Sequence, residues 1–421
     1  MTKVSRLLMA ASVLALMGGA CQAQSATEGF GVRFEDVTET HLPGLDAMPR
    51  RSMDAVAHDL DGDGDLDVVL PGEWAPSKIM INDGQGRFTM AETPFPPIPA
   101  EELVKPPHVQ AQLNDKDSED VSIADFDGDG LADLMIVVED DIMLGRSNVH
   151  QYLRGRPGDG YERIYGQLPD TVANAVAHAD VDGDGDLDLA LIGGSQDRLL
   201  INDGRGRFSD ETETRIPREA ATAQDGEFFD ADGDGDLDLV LGLEGGHALW
   251  INDGRGVFAD ESRARLPVPG NVEARKVTVG DVDGDGDLDL FFAHVSWQGR
   301  APQDHLYLND GSGRFSNATD RLPQETELTL DALFHDLDGD GDLDLVRGNG
   351  GSLKVWANDG TGRFTDVTGE VMTNAELPGS SIAVEVADFN GDGLPDIYVG
   401  QLAQGGPADP SRDRLFLGRR R

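Results

Sequence analysis

The chain reads as all-β, a seven-bladed β-propeller of four-stranded antiparallel blades, on three observations. An acidic nonapeptide is written seven times, short β-prone segments surround each copy, and the two ends of the chain complete one another. The nonapeptide has the form D-x-[DN]-G-D-G-x-x-D and begins at Asp59, Asp125, Asp180, Asp230, Asp281, Asp336 and Asp388, at spacings of 50 to 66 residues. One copy would pass for a solvated turn. Seven at a nearly constant period make a repeat architecture with the same loop in each unit.

Residues 53–90 show one unit. MDAVAH alternates and is β-prone, the nonapeptide turns the chain, DVVLPG and KIMIND are short apolar strands, and GRFTM is a fourth after the turn N-D-G-Q-G. Asn-Asp-Gly and the second Gly supply the positive-φ positions that a tight hairpin needs. The turn recurs at Asn202, Asn252, Asn309 and Asn358, each followed by a phenylalanine: Phe208, Phe258, Phe315 and Phe364. No stretch sustains a helical period. Four short antiparallel strands repeated seven times fit radial blades rather than a helical solenoid.

The seventh unit has its loop and strands DIYVG and RLFLG, but no G-x-F strand follows. Near the start, VRFEDVT (32–38) resembles GRFTDVT (362–368), which is a fourth strand. The N-terminal segment is therefore expected to supply the outer strand of the last blade and close the ring. Unit two is irregular. Residues 91–120 form a Pro-rich, acidic insertion, and YLRGRPGDGYERI replaces the usual turn. Long loops on a rigid frame are either functional or mobile, and this one is read as functional.

The loops suit calcium, which takes six to eight hard oxygens in irregular geometry, better than magnesium, which demands a strict octahedron. In the first loop the side chains of Asp59, Asp61, Asp63 and Asp67 are assigned as ligands. Position seven, Asp65 here, is Leu131 and Leu394 in two loops, so its ligand is the backbone carbonyl. Apolar residues at position two, such as Leu60, Phe126 and Val181, pin the loop to the blade. An EF-hand needs Glu at position twelve, where this chain places residues such as Leu70, Ile136 and Val399.

Loops of this form joined to L-x-x-N-D-G-x-G-x-F turns resemble the FG-GAP/VCBS repeats of bacterial surface proteins, which are similar to the calcium-bearing blades of integrin α-subunit propellers. The resemblance covers about residues 30–421. It implies that each loop joins the first two strands of its blade and holds one calcium, up to seven in all. Carried over by position, the ligands of the second loop are Asp125, Asp127, Asp129, Leu131 and Asp133, and those of the third are Asp180, Asp182, Asp184, Asp186 and Asp188. The fourth has Asp230, Asp232, Asp234, Asp236 and Asp238, and the fifth Asp281, Asp283, Asp285, Asp287 and Asp289. The sixth has Asp336, Asp338, Asp340, Asp342 and Asp344. The seventh has Asp388, Asn390, Asp392, Leu394 and Asp396, with Asn390 contributing an oxygen without charge. Family members are often structural or adhesive, and some carbohydrate-active enzymes use related propellers.

The formal net charge of −45 arises from 34 basic and 79 acidic residues, and the nonapeptides hold 32 of the aspartates. Such a surface argues against nucleic acid as a partner, since phosphates demand a basic face. At the N-terminus, Lys3 and Arg6 precede an apolar run from Leu7 to Met17, followed by Gly18-Gly19-Ala20-Cys21. That is an export signal, too short to span a bilayer. Either Cys21, the only cysteine, is the acylated first residue of a lipoprotein, or cleavage near Ala20 or Ala23 releases the chain. The reading is therefore residues 1–21 as signal, 22–29 as linker and 30–421 as propeller. It places the mature protein in the outer membrane as a lipoprotein, in the periplasm, or outside the cell.

Asp54, Asp120, Asp225 and Asp331 each lie five residues before a loop, about 16 Å away along a strand. They are expected to ring the opposite mouth of the central channel, with Lys276 breaking the pattern and Asn174 one place off. Either they form a ligand funnel or they cap strand ends. His58, His178 and His335 read as wall residues, and Trp250 and Trp356, just before turns, as packing residues. No nucleophile elbow, phosphate loop or zinc signature is visible. The expected function is a non-catalytic binding or adhesion module for a protein or a glycan. The alternative is a polysaccharide-lyase-like enzyme working at the central mouth.

Overall fold

A computed structural model describes residues 30–42, 51–92, 95–103, 115–147, 149–158, 160–194, 196–218, 221–296, 302–402 and 411–421. Residues 1–29, which include the expected export signal and Cys21, lie outside the described residues. The strands assemble into seven four-stranded sheets, each antiparallel and, apart from the last, in simple sequence order. Blade 1 is Val56–His58, Asp67–Leu70, Lys78–Asn82 and Phe88–Met90. Blade 4, more regular, is Ala223–Phe229, Asp238–Leu243, Gly246–Asn252 and Phe258–Asp260. The irregular segment of unit two still makes a hairpin, Gln151–Arg156 with Gly160–Ile164, so blade 2 keeps four strands.

First strands of neighbouring blades touch all the way round, including blade 1 against blade 7, so they line the axis and the ring is closed. Second strands are buried on both faces. Asp238–Leu243 is buried at every position, which explains why these segments are continuous apolar runs instead of alternating ones. The core lies between blades: Ile192 and Leu199 of blade 3 meet Leu241 and Trp250 of blade 4. Phe291 and Leu306 of blade 5 likewise meet Leu345 and Trp356 of blade 6. Trp250 and Trp356 are almost wholly buried, as packing residues should be.

Strand Val32–Asp36 pairs antiparallel with Arg414–Arg420, in register from Val32 opposite Arg420 to Asp36 opposite Phe416. It is the outer strand of blade 7, and the ring closes through both ends of the chain. The likeness of VRFEDVT to GRFTDVT has a structural cause. In both, the aspartate accepts from the amide two residues on, Asp36 from Thr38 at 3.1 Å and Asp366 from Thr368 at 2.9 Å. In both, the Thr hydroxyl donates to a third-strand carbonyl, that of Leu415 or Val355.

Candidate metal centres and ligand site

Each nonapeptide folds around its first aspartate. In blade 3, Asp180 accepts from the amides of Gly183 at 2.8 Å, Asp184 at 3.1 Å and Gly185 at 3.0 Å. Those bonds need left-handed backbone, and Gly183 and Gly185 supply it with φ of 76° and 94°. The ninth residue anchors the loop to the blade. Asp188 accepts from Val181 N at 3.1 Å and from Asn202 N at 2.8 Å. The same two bonds recur at Asp67, Asp238, Asp289 and Asp344.

In each of three loops, three of the assigned ligands lie together. Carboxylate oxygens of Asp59, Asp61 and Asp63 lie within 4.8 Å of one another, as do those of Asp125, Asp127 and Asp133 and of Asp180, Asp182 and Asp188. Among the described residues, an oxygen of the third-position carboxylate is buried without a hydrogen-bond partner at Asp182, Asp232 and Asp283. A buried bare carboxylate oxygen is costly unless a cation meets it, so the residues present fit a hard divalent ion. Burial pushes the ninth-position carboxyls up: Asp67 and Asp133 to about 6, Asp188, Asp238, Asp289 and Asp396 to about 7, and Asp344 to about 8. Ionising these groups near neutral pH calls for a positive partner. The fifth-position side chains are more exposed. In the seventh loop Asn390 turns its amide onto Asp396, at 3.0 Å and 3.2 Å.

Two sets of residues tie the loops together, the turn asparagines, read from the sequence only as turn formers, and a set of arginines not singled out there. The turn asparagines reach across to the preceding blade. Asn252 donates to Val181 O at 2.8 Å and to Leu237 O at 3.1 Å, and Asn82, Asn202, Asn309 and Asn358 make the equivalent pairs. An arginine also bridges neighbouring blades. Arg265 contacts Asp232 at 3.1 Å and Ser312 O at 2.6 Å, and Arg215 and Arg321 repeat this on Asp182 and Asp283. The sequence signal was there: each arginine ends the short helix or turn that follows a fourth strand.

At two junctions glycine stands where the asparagine would be, Gly155 in blade 2 and Gly418 in blade 7. Both keep the backbone bond to the ninth aspartate, at 2.8 Å. A Cβ there would come within 2.6 Å of Ala132 O or 2.3 Å of Pro395 O, so no side chain fits. Between blades 1 and 2, a cleft of about 240 Å³ lies beside Gly155. Its wall includes Leu60, Ile79, Ile81 and Tyr161, with Asp61 and Arg156 also lining it. Phe95, from the insertion, packs on Tyr161 with ring centroids 5.9 Å apart.

The far mouth of the channel gathers the expected residues: Asp54, Asp120, Asn174, Asp225, Lys276 and Asp331 surround one cavity, joined by Glu119 and Arg275. The cavity is only about 50 Å³, room for a few waters. Most of its acids are engaged in joining blades. Asp120 accepts from Val176 N at 2.7 Å, Asp225 from Val277 N at 2.8 Å and Asp331 from Val384 N at 2.6 Å, each on the next blade. Asn174 donates to Ala223 O at 2.8 Å. Strand-end capping is thus the observed role, extended across the blade boundary.

Lys276 points into this ring, 3.6 Å from Asp225 and 3.9 Å from Asp331. Its side chain keeps 36% of its surface accessible and lines the cavity, although the site is deep within the protein. Burial acts to lower its pKa, but Asp225, Asp331, Asp120 and Asp54 together outweigh that and raise it. Asp54 is pushed well up, first by burial and then by Asp120, with which it shares a hydrogen bond. The wall histidines behave as expected: His178 Nδ1 meets Ser122 Oγ at 2.6 Å and His335 Nδ1 meets Asp336 O at 3.0 Å.

Fold and loops together define a closed propeller whose blades each carry an acidic, cation-ready loop. The FG-GAP-like repeat model matches residues 59–136, 180–241, 230–292, 295–346 and 336–399, and the chain belongs to that family. No curated protein matches the sequence. Among solved structures, the chain resembles an Agrocybe aegerita lectin described as recognising non-reducing terminal N-acetylglucosamine. Identity is 20%, coverage is 76% of this chain and 81% of that one, and the TM-score is 0.51. BBS1N, solved in complex with ARL6DN, aligns at 12% identity over 92% and 97% of the two chains with a TM-score of 0.55. The extracellular domain of a putative one component system, BT4673 from B. thetaiotaomicron, aligns at 14% identity over 91% and 40%, at 0.51. At these identities the likeness is one of fold.

Proposed function

We propose that the chain is an exported, calcium-stabilised binding module without catalysis, taking a glycan or a protein. The cleft between blades 1 and 2 carries this reading. It opens at a junction without the asparagine clasp, beside the insertion of blade 2, and it pairs an apolar, aromatic wall with Asp61 and Arg156. At about 240 Å³ it sits just below the usual range of roughly 300–1,000 Å³ for ligand pockets, so it suits a single ring-sized group. An aromatic face beside polar groups is the chemistry a sugar ring uses. That the lectin neighbour is described as recognising a terminal sugar supports the same direction. Calcium loops of modest affinity fill where calcium is abundant, which agrees with export and with either lipid attachment at Cys21 or release.

The runner-up is a polysaccharide-lyase-like enzyme at the central mouth, favoured by Asp54, whose carboxyl burial and Asp120 hold well above the usual range, beside Lys276. A cavity of about 50 Å³ weighs against it, because no sugar ring enters without the channel widening. A glycan array and a polysaccharide-degradation screen, both with calcium present, separate the two. Retention of a glycan without product, lost in Tyr161→Ala, supports the module. New reducing ends or unsaturated sugars, lost in Lys276→Met, refute it in favour of the enzyme.

A further inference from the structure

Three of the nine histidines in the chain meet where blades 4 and 5 join, far from any acidic loop. His247 comes from the third strand of blade 4, Gly246–Asn252. His294 comes from the second strand of blade 5, Asp289–Val295, and His305 from its third, His305–Asn309. One ring nitrogen of each lies within 4.8 Å of the other two. His294 follows the end of its loop by five residues, so the cluster sits about 16 Å along the strand from the nearest acidic loop. His247 and His294 are buried and His305 is half-buried, so the cluster opens to one side only.

Hydrogen bonding fixes the lone pairs. His294 Nδ1 is 2.9 Å from Gln303 O, and a carbonyl only accepts, so Nδ1 carries the proton and Nε2 is bare. That bare Nε2 lies 3.0 Å from Nε2 of His247. His247 must donate there, which leaves its Nδ1 buried with no partner among the described residues. The rings are held from outside as metal-binding imidazoles usually are. Gln303 O orients His294, Tyr307 Oη meets His305 Nδ1 at 3.1 Å, and Phe292 stacks on His247 at 3.6 Å and 6°. Burial keeps the three rings uncharged at neutral pH, so each retains a lone pair.

We infer that His247, His294 and His305 form a site for one borderline divalent transition-metal ion of the zinc class, which pins blade 4 to blade 5. Imidazole nitrogen selects zinc, nickel or copper over calcium, whose preference is oxygen. Zinc bonds imidazole at about 2.0–2.1 Å, so two nitrogens on a tetrahedral ion are roughly 3.3 Å apart. Moving His247 and His294 from 3.0 Å to that separation asks for a few tenths of an ångström. His305, on the open side, is the third ligand, and the fourth position is left to water. When its Nε2 binds the ion, His247 takes the other tautomer, Nε2 giving its proton to solvent and Nδ1 taking one up.

The test uses the full chain saturated with calcium, so that the acidic loops do not compete for the probe. Isothermal titration with zinc chloride, and with cobalt(II) chloride followed by visible absorption, should give one equivalent per chain and the spectrum of a four-coordinate nitrogen site. His305→Gln should weaken zinc at least about 100-fold while leaving the zinc-free melting curve unchanged, because a ligand matters more than the outer partners whose loss costs 10–100-fold. His294→Gln should do the same, and if that buried variant fails to fold, His305→Gln decides alone. Zinc that is displaced by added calcium, or bound equally by His305→Gln, overturns the site.

Discussion

Phe34→Ala tests how the ring is closed. Phe34 lies in the strand that completes blade 7, is fully buried, and packs among Leu337, Val346, Val355, Ile397 and Phe416. Its carbonyl also takes the Thr373 amide at 3.1 Å, so the strand ties blade 7 to the end of blade 6. Removing a buried Phe costs about 3–5 kcal/mol. Unfolding entropy of about 2.1 cal/mol/K per residue over the described propeller is roughly 0.7 kcal/mol/K, so about 4 kcal/mol lowers Tm by about 5 °C. Deleting residues 30–38 goes further, since Phe30, Val32 and Phe34 are each worth about 1.5–3 kcal/mol and the edge of strand Arg414–Arg420 is left unpaired. That approaches the whole stability of an ordinary domain, about 5–15 kcal/mol. Differential scanning calorimetry of the two variants in calcium reads both effects. Melting within about 1 °C of wild type in both would refute closure by this strand.

Other outcomes follow from the same contacts. Asn252→Ala strands the carbonyls of Val181 and Leu237 and should cost about 2–4 kcal/mol in urea unfolding, while Asn252→Gln, with a longer reach, should recover little. A loss below about 0.5 kcal/mol would show that the clasp is ornamental. In metal-free protein the ninth-position carboxyls titrate in the folded state at about 6 to 8, against about 3.9 unfolded. Between those values the folded chain binds more protons, so metal-free stability is fullest below about pH 4 and is lost as pH rises toward 8. Calcium needs the ionised form and reverses the slope, favouring neutral pH. Parallel melting-versus-pH curves with EDTA and with calcium would contradict this. Lys276→Met should destabilise at pH 7.5 by leaving Asp225 and Asp331 without their cation, and less at pH 5, below the value of about 6 to which burial pushes Asp331. Equal loss at both pH values would show that packing, not charge, is what Lys276 contributes.

How much of this was legible in the sequence follows from the range of each interaction. The bonds inside each loop are local, with donors and acceptors at most seven residues apart, so the nonapeptide specifies them outright; only the anchor from the ninth aspartate to the turn amide reaches further. The closing strand was legible because 32–38 repeats the Asp and Thr chemistry of 362–368. The ring of aspartates at the far mouth was legible from a constant offset, but not its use, since the amide each one bonds belongs to a strand 52–56 residues away. The clasp of Asn309 spans 78 residues, and His247 and His294 are 47 apart. Neither spacing carries a motif. The cleft at Gly155 was visible only as a departure from the turn pattern; that the departure leaves a space is a matter of volume, which no sequence pattern records.

The account rests on divalent ions holding clustered aspartates in register around a closed ring. The direct measurement is metal content by elemental analysis of protein purified without chelators, read beside circular dichroism before and after EDTA. Seven calcium ions per chain, with a large drop in melting temperature on chelation that calcium reverses better than magnesium, is the result expected. Far fewer than seven ions in a chain that stays fully folded would contradict it.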